Sequence, residues 1–141
     1  MEKLRVWLRA RRVSLDVKRR GEDCFWYEAS SGCVEVNGSA PRAERLHAAL
    51  HECGHVQVWL GRRRHPNRRV AGCSLKELAA DAGRWKPRST RRRLATMEEE
   101  LEAWTRGIRL ARRLRIRVNG EAFEASRARA LMTYARWAAR A

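Results

Sequence analysis

The N-terminal part of the chain changes from a helical to a strand-like hydrophobic period. Leu4, Trp7 and Leu8 recur at helical spacing, which predicts a short helix over residues 2–11. Three segments with the alternating or aromatic and β-branched character of strands follow, at residues 13–17, 24–27 and 33–37. Turn residues at 20–23 and 30–32 separate these segments. Consecutive strands joined by short turns predict a small three-stranded antiparallel sheet.

The rest of the chain is helical in pattern and is interrupted by two basic segments. A helix capped by Ser39 and ended by Gly61 is apolar nearly all round, which is typical of a buried helix. Capping boxes at 74–77 and 96–99 predict two further helices, which reach about residues 82 and 115. The basic segments 62–72 and 88–95 are predicted to be loops. A last helix is predicted over 121–139, with a buried stripe of Phe123, Ala130, Leu131, Tyr134 and Trp137.

These elements predict a single α+β domain over residues 1–141, in which the small sheet packs on helices. The helix over residues 39–61 is expected at the centre of this core, because it has no polar face to turn to solvent.

That central helix carries His51-Glu52-Cys53-Gly54-His55, and H-E-x-x-H on a helix is typical of zinc metallopeptidases. Residues four apart share a face, so both imidazoles can reach one ion while Glu52 reaches a water beside it. Neutral imidazoles leave the charge of Zn²⁺ uncancelled, and the ion can then lower the pKa of a bound water. The motif predicts one Zn²⁺ per chain on His51 and His55, with Glu52 as the general base.

A catalytic zinc usually has a third protein ligand. On a helical wheel Glu100 falls in the middle of the apolar arc of its helix, whereas Glu98 and Glu102 lie beside arginines. Glu99 is the third residue of the predicted capping box. Glu100 is therefore the preferred third ligand. The alternatives are a buried Glu100–arginine pair, His65 as the ligand, and His47 as a ligand instead of a packed neighbour.

The composition is strongly basic, with a net charge of +16, and only four of the 32 basic residues are lysine. This charge predicts nonspecific attraction to nucleic acid, although few aromatic residues lie between the arginines to form a stacking surface. The excess of arginine also fits a GC-rich genome. An apolar run of about 18 residues is absent, so no membrane-spanning segment is expected.

The cysteines and the N-terminal residues indicate a cytoplasmic protein. The first nine residues are charged throughout and contain no signal-peptide apolar segment. Cys24, Cys33, Cys53 and Cys73 show no Cys-x-x-Cys spacing, and we expect reduced thiols that pack as small apolar groups. The alternative is a Cys24–Cys33 disulfide.

Segments 33–37, 42–46 and 51–55 resemble the ImmA/IrrE family of small gluzincin-like metallopeptidases. In that family a strand ending in Val/Ile-x-Asn leads through a turn into a helix bearing H-E-x-G-H. Glu100-Leu101-Glu102-Ala103 matches the later Glu-x-x-Ala motif, whose first glutamate is the third zinc ligand; Trp104 stands where the family usually has Asn or Asp. The resemblance covers about residues 33–60 and 97–107, and it implies a zincin-type core.

The motif and the resemblance together predict a zinc metallopeptidase that cleaves a peptide bond in a host or phage protein. Members of the family often occur in phages and mobile elements, and its best-known members cleave or release DNA-bound repressors. Two alternatives follow: a repressor-releasing factor, or a basic nucleic-acid-associated or phage structural protein whose zinc is not catalytic. Tyr27, His65 and an arginine are candidate donors to the oxyanion.

Overall fold

The protein is described from a computed structural model, which covers residues 1–19, 21–28, 30–69, 73, 74, 77 and 90–139. Within these residues the chain begins with helix α1 (Glu2–Arg9), strand β1 (Val13–Lys18), strand β2 (Cys24–Glu28) and strand β3 (Ser31–Asn37). Helices α2 (Arg42–Arg64), α3 (Thr90–Arg113) and α4 (Gly120–Ala139) follow. The predicted α+β class is confirmed. Among the helices described, none combines the length and apolar character needed to cross a membrane.

The sheet is mixed, and the prediction of an antiparallel sheet is wrong. Its strand order is β1-β3-β2, with β3 parallel to β1 and antiparallel to β2. The chain between Lys18 and Cys24 therefore joins the two outer strands, which lie two strand spacings, or about 10 Å, apart. A connection of this length can join adjacent strands or pass over one strand, and its turn-forming composition does not distinguish the two.

Helix α2 is longer at its C-terminus than predicted, because Gly61 does not end it. The helix runs to Arg64, and His65 leaves the helical region with a φ of −133°. Pro66 explains this end point, since the residue before a proline is disfavoured in the α conformation. At the other end Pro41 is the N-cap, without a side-chain hydrogen bond. The Ser39 hydroxyl donates to the Arg19 carbonyl oxygen instead, so its predicted capping role is wrong.

The second capping box is also wrong, whereas the first is confirmed. Helix α3 begins at Thr90, so the described part of the predicted loop over residues 88–95 is helical and the predicted cap Thr96 is internal. In the first box Glu77 N donates to Ser74 Oγ at 3.1 Å and Ser74 N donates to Glu77 Oε2 at 2.7 Å. The rest of that predicted short helix, to residue 82, lies outside the described residues.

Helix α2 lies at the centre of the molecule, as its apolar pattern predicted. It contacts the three other helices that the structure describes and strands β2 and β3. The core between the sheet and the helices is closed by apolar residues from every described element except β2: Leu4, Leu8, Leu15, Val34, Val36, Leu50, Val56, Leu110 and Phe123. The predicted stripe of α4 is confirmed in part, since Phe123 is buried whereas Trp137 is 41% exposed.

Two glycines allow α2 and α3 to approach each other closely. An alanine Cβ at Gly54 would overlap the carbonyl oxygen of Ala103, and a Cβ at Gly107 would lie 2.5 Å from the carbonyl oxygen of Leu50. Both contacts are made to backbone atoms, which cannot move aside as a flexible side chain can. The crossing brings α3 against the face of α2 that carries the histidines.

We expect Gly54→Ala to lower the free energy of unfolding by about 2 kcal/mol or more. The overlap with Ala103 should outweigh the gain of roughly 0.5–1 kcal/mol that alanine brings to a helix interior. Urea denaturation would measure the change. Gly120→Ala is the control, because nothing lies within 4 Å of a Cβ there, and it should be neutral or slightly stabilising. Equal stability of the two variants would contradict the close crossing.

Candidate metal centre

The two histidines of the motif lie side by side on α2. Their Nε2 atoms are 3.2 Å apart, and the rings meet nearly edge to face. His51 is buried and His55 is mostly covered. One ligand atom from each of His51, Glu52 and His55 lies within 4.8 Å of the others, so these three residues form a group that could hold a metal ion.

Glu100 reaches the same point from α3. Its Oε2 lies 3.1 Å from His51 Nε2 and its Oε1 lies 3.5 Å from His55 Nε2. Only 6% of the residue is exposed, whereas Glu98 is exposed and Glu102 pairs with Arg106 at 2.7 Å. The prediction that Glu100 is the glutamate that faces the core is therefore confirmed. Glu100 pairs with the two histidines. Among the described residues it forms no ion pair with an arginine, so the alternative of a buried Glu100–arginine pair is wrong.

The spacing of these atoms fits a small divalent ion. Bonds of 2.0–2.2 Å in a tetrahedron place neighbouring ligand atoms about 3.4 Å apart. The contacts among His51, His55 and Glu100 are 3.1, 3.2 and 3.5 Å. Glu100 Oε2 is also buried, and its contact with His51 Nε2 at 3.1 Å lacks hydrogen-bond geometry, so a cation bound beside this oxygen would stabilise it.

Glu52 occupies a different position from Glu100. Its Oε1 lies 3.8 Å from His51 Nε2, beyond direct hydrogen bonding, at a distance that suits a carboxylate acting through a water. Burial raises the pKa of Glu52 to about 7. A carboxylate with this pKa can accept and return a proton near neutral pH.

The charges at the centre are divided unequally between the two histidines. Burial lowers the pKa of His51. Burial also disfavours the charged form of His55, but the carboxylates of Glu100 and Glu99 outweigh it and raise its pKa to about 10. Burial opposes ionisation of Glu100 too, yet the two imidazoles lower its pKa to about 2. A cation bound between these groups would take the place of the proton on His55, so metal binding should strengthen with rising pH.

Glu99 has a role that the sequence analysis missed. Its Oε2 accepts a hydrogen bond from Arg62 Nη2 at 2.7 Å, and its Oε1 lies 3.3 Å from His55 Nδ1. Because α3 begins at Thr90, Glu99 is not part of a helix cap. A carboxylate on the far nitrogen of a ligating histidine fixes the orientation of the ring and makes it a better ligand. In the sequence Glu99 is visible only as a carboxylate next to Glu100. Its partners Arg62 and His55 depend on how α2 and α3 pack.

We expect Glu99→Ala to reduce metal affinity by about 10–100-fold without abolishing binding. The reason is that His55 would lose the carboxylate that orients its ring, while all three groups around the central point remain. Competition titration with a chromophoric chelator would measure the affinity. Glu98→Ala is the control, since Glu98 is exposed. An unchanged affinity in Glu99→Ala would show that the Glu99–His55 contact does not support the centre.

The other candidate ligands and donors lie elsewhere or are engaged. His47 is buried, its Nδ1 lies 2.9 Å from Ser126 Oγ, and its ring packs edge-on against Phe123. His65 is exposed after the end of α2. The Tyr27 hydroxyl donates to the Ser30 carbonyl oxygen at 2.9 Å. The structure therefore brings neither histidine into the cluster of ligand atoms, and it occupies the Tyr27 hydroxyl elsewhere.

Two cavities, of about 480 and 410 Å³, meet at the candidate centre. Four residues line both cavities: Asp23, His51, Glu52 and Tyr134. The smaller cavity runs along β2, which is an edge strand of the sheet. Burial and the neighbouring Glu100 carboxylate raise the pKa of Tyr134, so its hydroxyl remains a donor at neutral pH. From its position in the sequence, Tyr134 was predicted only as part of a buried stripe.

Trp104 packs directly on the cluster. Its ring stacks on His51 with centroids 4.4 Å apart and an interplanar angle of 22°. Where the ImmA/IrrE pattern has a polar residue at this position, the present chain holds the imidazole with an aromatic face.

A comparison of the chain with family models, with curated proteins and with solved structures finds no match.

Proposed function

We propose that the protein is a zinc-dependent metallopeptidase that binds one Zn²⁺ per chain through His51, His55 and Glu100. The observation that carries this proposal is the convergence of the three side chains at tetrahedral ligand spacing, on a helix with the H-E-x-x-H motif. Two imidazoles and one carboxylate are a ligand set of catalytic zinc, and the cavities on both sides leave access to a fourth position. The resemblance to the ImmA/IrrE family supports the same assignment and a zincin-type core.

Glu52 acts as the general base in this proposal. Zinc held at the centre would supply a water of lowered pKa and a positive charge beside the substrate carbonyl. The Glu52 carboxylate accepts a proton from the attacking water, and it returns this proton to the leaving amine. In the metal-free protein burial raises the pKa of Glu52 to about 7, and a cation beside it would favour the carboxylate form that accepts the proton. The buried position of Glu52 keeps bulk water from competing for the proton.

Tyr134 and the edge of β2 position the substrate. Tyr134 lines both cavities beside Glu52 and donates a hydrogen bond to the carbonyl oxygen as it gains charge. Among the strands that the structure describes, none lies beside the outer edge of β2, so the backbone groups of this edge can pair with an extended peptide. The substrate is accordingly an extended segment of a protein or a peptide, cleaved next to His51.

The alternative, in which the zinc is structural and not catalytic, fits the arrangement of His51, His55 and Glu100 less well. Structural zinc sites have four protein ligands, whereas three from the described residues converge here and two cavities open on Glu52. The proposed cytoplasmic location agrees with the state of the cysteines. Cys24, Cys33, Cys53 and Cys73 are all free thiols, as is usual in a reducing compartment. The alternative disulfide between Cys24 and Cys33 is therefore not formed.

Elemental analysis and a search for cleaved proteins would test the proposal. Purified wild-type protein should contain about one zinc per chain, His51→Ala should contain none, and the exposed His65→Ala should match the wild type. Labelling of new protein N-termini in expressing cells should then reveal cleavage that a chelator or His51→Ala removes. Folded wild-type protein that binds no zinc would overturn the proposal; zinc binding with no new N-termini would favour a non-catalytic site.

A further inference from the structure

A second cleft lies on the face of the sheet opposite the core. The strand registers place Ser14, Cys33 and Trp26 side by side across β1, β3 and β2. The adjacent residues Leu15 and Val34 are buried in the core, so the row that contains Trp26 points to the other face. A cavity of about 740 Å³ lies there, larger than either cavity at the candidate metal centre.

Three guanidinium groups line this cleft. Arg5 and Arg9 are one turn apart on α1, and Arg12 lies in the turn after this helix, in the left-handed conformation with a φ of 58°. Arg5 has an exposed contact with Glu2 at 3.8 Å, which contributes little. Arg9 and Arg12 form no ion pair with any residue in the described part of the chain. Asp16 is the one carboxylate among the described residues that line the cleft. The net charge of the cleft is therefore positive.

Trp26 gives the cleft an aromatic surface. The residue is 46% exposed, although its indole Nε1 donates to Glu35 Oε1 at 3.2 Å. Glu35 is held in turn by Lys18 at 2.6 Å. The ring is therefore held in place before any ligand binds, and stacking on it would cost little side-chain entropy. Few aromatic residues lie near arginines in the sequence, and the sheet brings Trp26 to these arginines from a distant position in the chain.

We propose that this cleft binds single-stranded nucleic acid, with phosphates on Arg5, Arg9 and Arg12 and a base stacked on Trp26. Arginines that follow a backbone beside an exposed aromatic ring are the combination by which proteins hold single strands. The hydroxyls of Ser14, Ser30 and Ser31 add donors for phosphate or sugar oxygens. An acidic peptide would use the guanidinium groups but would leave the indole without a partner, and a duplex would keep its bases stacked away from it. This proposal does not depend on the peptidase proposal.

Fluorescence anisotropy with a labelled oligothymidylate of about 12 nucleotides would test the cleft on the full chain. The triple variant Arg5→Gln/Arg9→Gln/Arg12→Asn should bind at least about tenfold more weakly. Asparagine is chosen at position 12 because it tolerates the left-handed conformation. Between about 50 and 200 mM salt, the slope of log affinity against log salt should fall by about 2, which corresponds to three phosphate contacts on a single strand.

A matched triple variant separates a site from diffuse charge. Arg109→Gln/Arg112→Gln/Arg117→Gln removes the same charge from exposed positions outside the cleft, and it should leave the affinity within about threefold. Equal losses in the two triple variants would overturn the proposal. Should the first variant fail to fold by circular dichroism, the single variants Arg5→Gln and Arg9→Gln on α1 decide, with a loss of about twofold or more expected in each.

Trp26→Leu tests the stacking. The affinity for oligothymidylate should fall about fivefold or more, while the affinity for an abasic strand of the same length should not change, because only bases stack on the indole. Equal effects on both strands would overturn the role of Trp26. A polyglutamate peptide of the same charge should compete poorly; competition as strong as that of unlabelled oligothymidylate would assign the cleft to acidic peptides instead.

Discussion

Replacing Glu100 with alanine is expected to weaken zinc binding by more than about a hundredfold. Loss of a residue that only orients a ligand costs about 10–100-fold, and Glu100 contacts both imidazoles directly, so its loss should cost more. The variant should remain folded, because His55 keeps Glu99 as a partner at 3.3 Å and either imidazole can lose its proton. The two histidines alone would then hold the metal weakly.

Competition titrations on four variants would test this ranking. Glu100→Ala should have the weakest affinity and Glu99→Ala an intermediate one, while Glu98→Ala and Glu102→Ala should resemble the wild type. Glu102→Ala is the stricter control, because it removes a helical carboxylate that is paired with Arg106 and not with a histidine. Wild-type affinity in Glu100→Ala would exclude it as the third ligand, and a larger loss in Glu99→Ala would move the ligand role to Glu99.

Glu52→Gln is expected to keep zinc and fold but to lose at least about a hundredfold of any peptide hydrolysis. Glutamine has nearly the same shape as glutamate, yet its amide cannot accept the proton of the attacking water. Because burial raises the pKa of Glu52 to about 7 in the metal-free protein, removal of its charge should not destabilise the folded state near neutral pH. Thermal denaturation and zinc content would establish that the variant is intact.

The substrates found by labelling new N-termini would provide the assay for Glu52→Gln. The rate should be compared with that of Glu22→Gln, an exposed glutamate that lines the same cavity as Glu52. We expect wild-type turnover in Glu22→Gln and nearly none in Glu52→Gln. Turnover near the wild-type rate in Glu52→Gln, with zinc retained, would refute the general-base mechanism while leaving the metal centre in place.

The sequence by itself determined the features that depend on local periodicity. Residues four apart on a helix share a face, so the pairing of His51 with His55 followed from spacing alone. The same periodicity distinguished Glu100 from its neighbours, and the structure buries it accordingly. The three strands and the apolar helix α2 also lie at their predicted positions. Alternating hydrophobic residues and an apolar surface on all sides are properties of one segment, so they can be recognised without its neighbours.

The Arg-rich segment before Thr96 shows where a local pattern was misread. Its charge suggested a loop, but arginine is a good helix former, and α3 begins at Thr90. Arg93 Nη1 donates to the Ala138 carbonyl oxygen at 2.9 Å, so this first part of α3 is held by α4. A contact between segments that are distant in the chain cannot be read from the composition of either one.

Only the tertiary structure decided the strand order and the partners of Glu99, Tyr134 and Trp26. The connection after β1 is compatible with a hairpin and with a crossing to the far edge, and packing of the sheet on the helices selects the second. Glu99 meets Arg62 and His55 because α2 and α3 cross at small residues. Tyr134 lines the metal centre from α4 and Trp26 lines the arginine cleft from β2, through packing between elements whose relative placement no local period encodes.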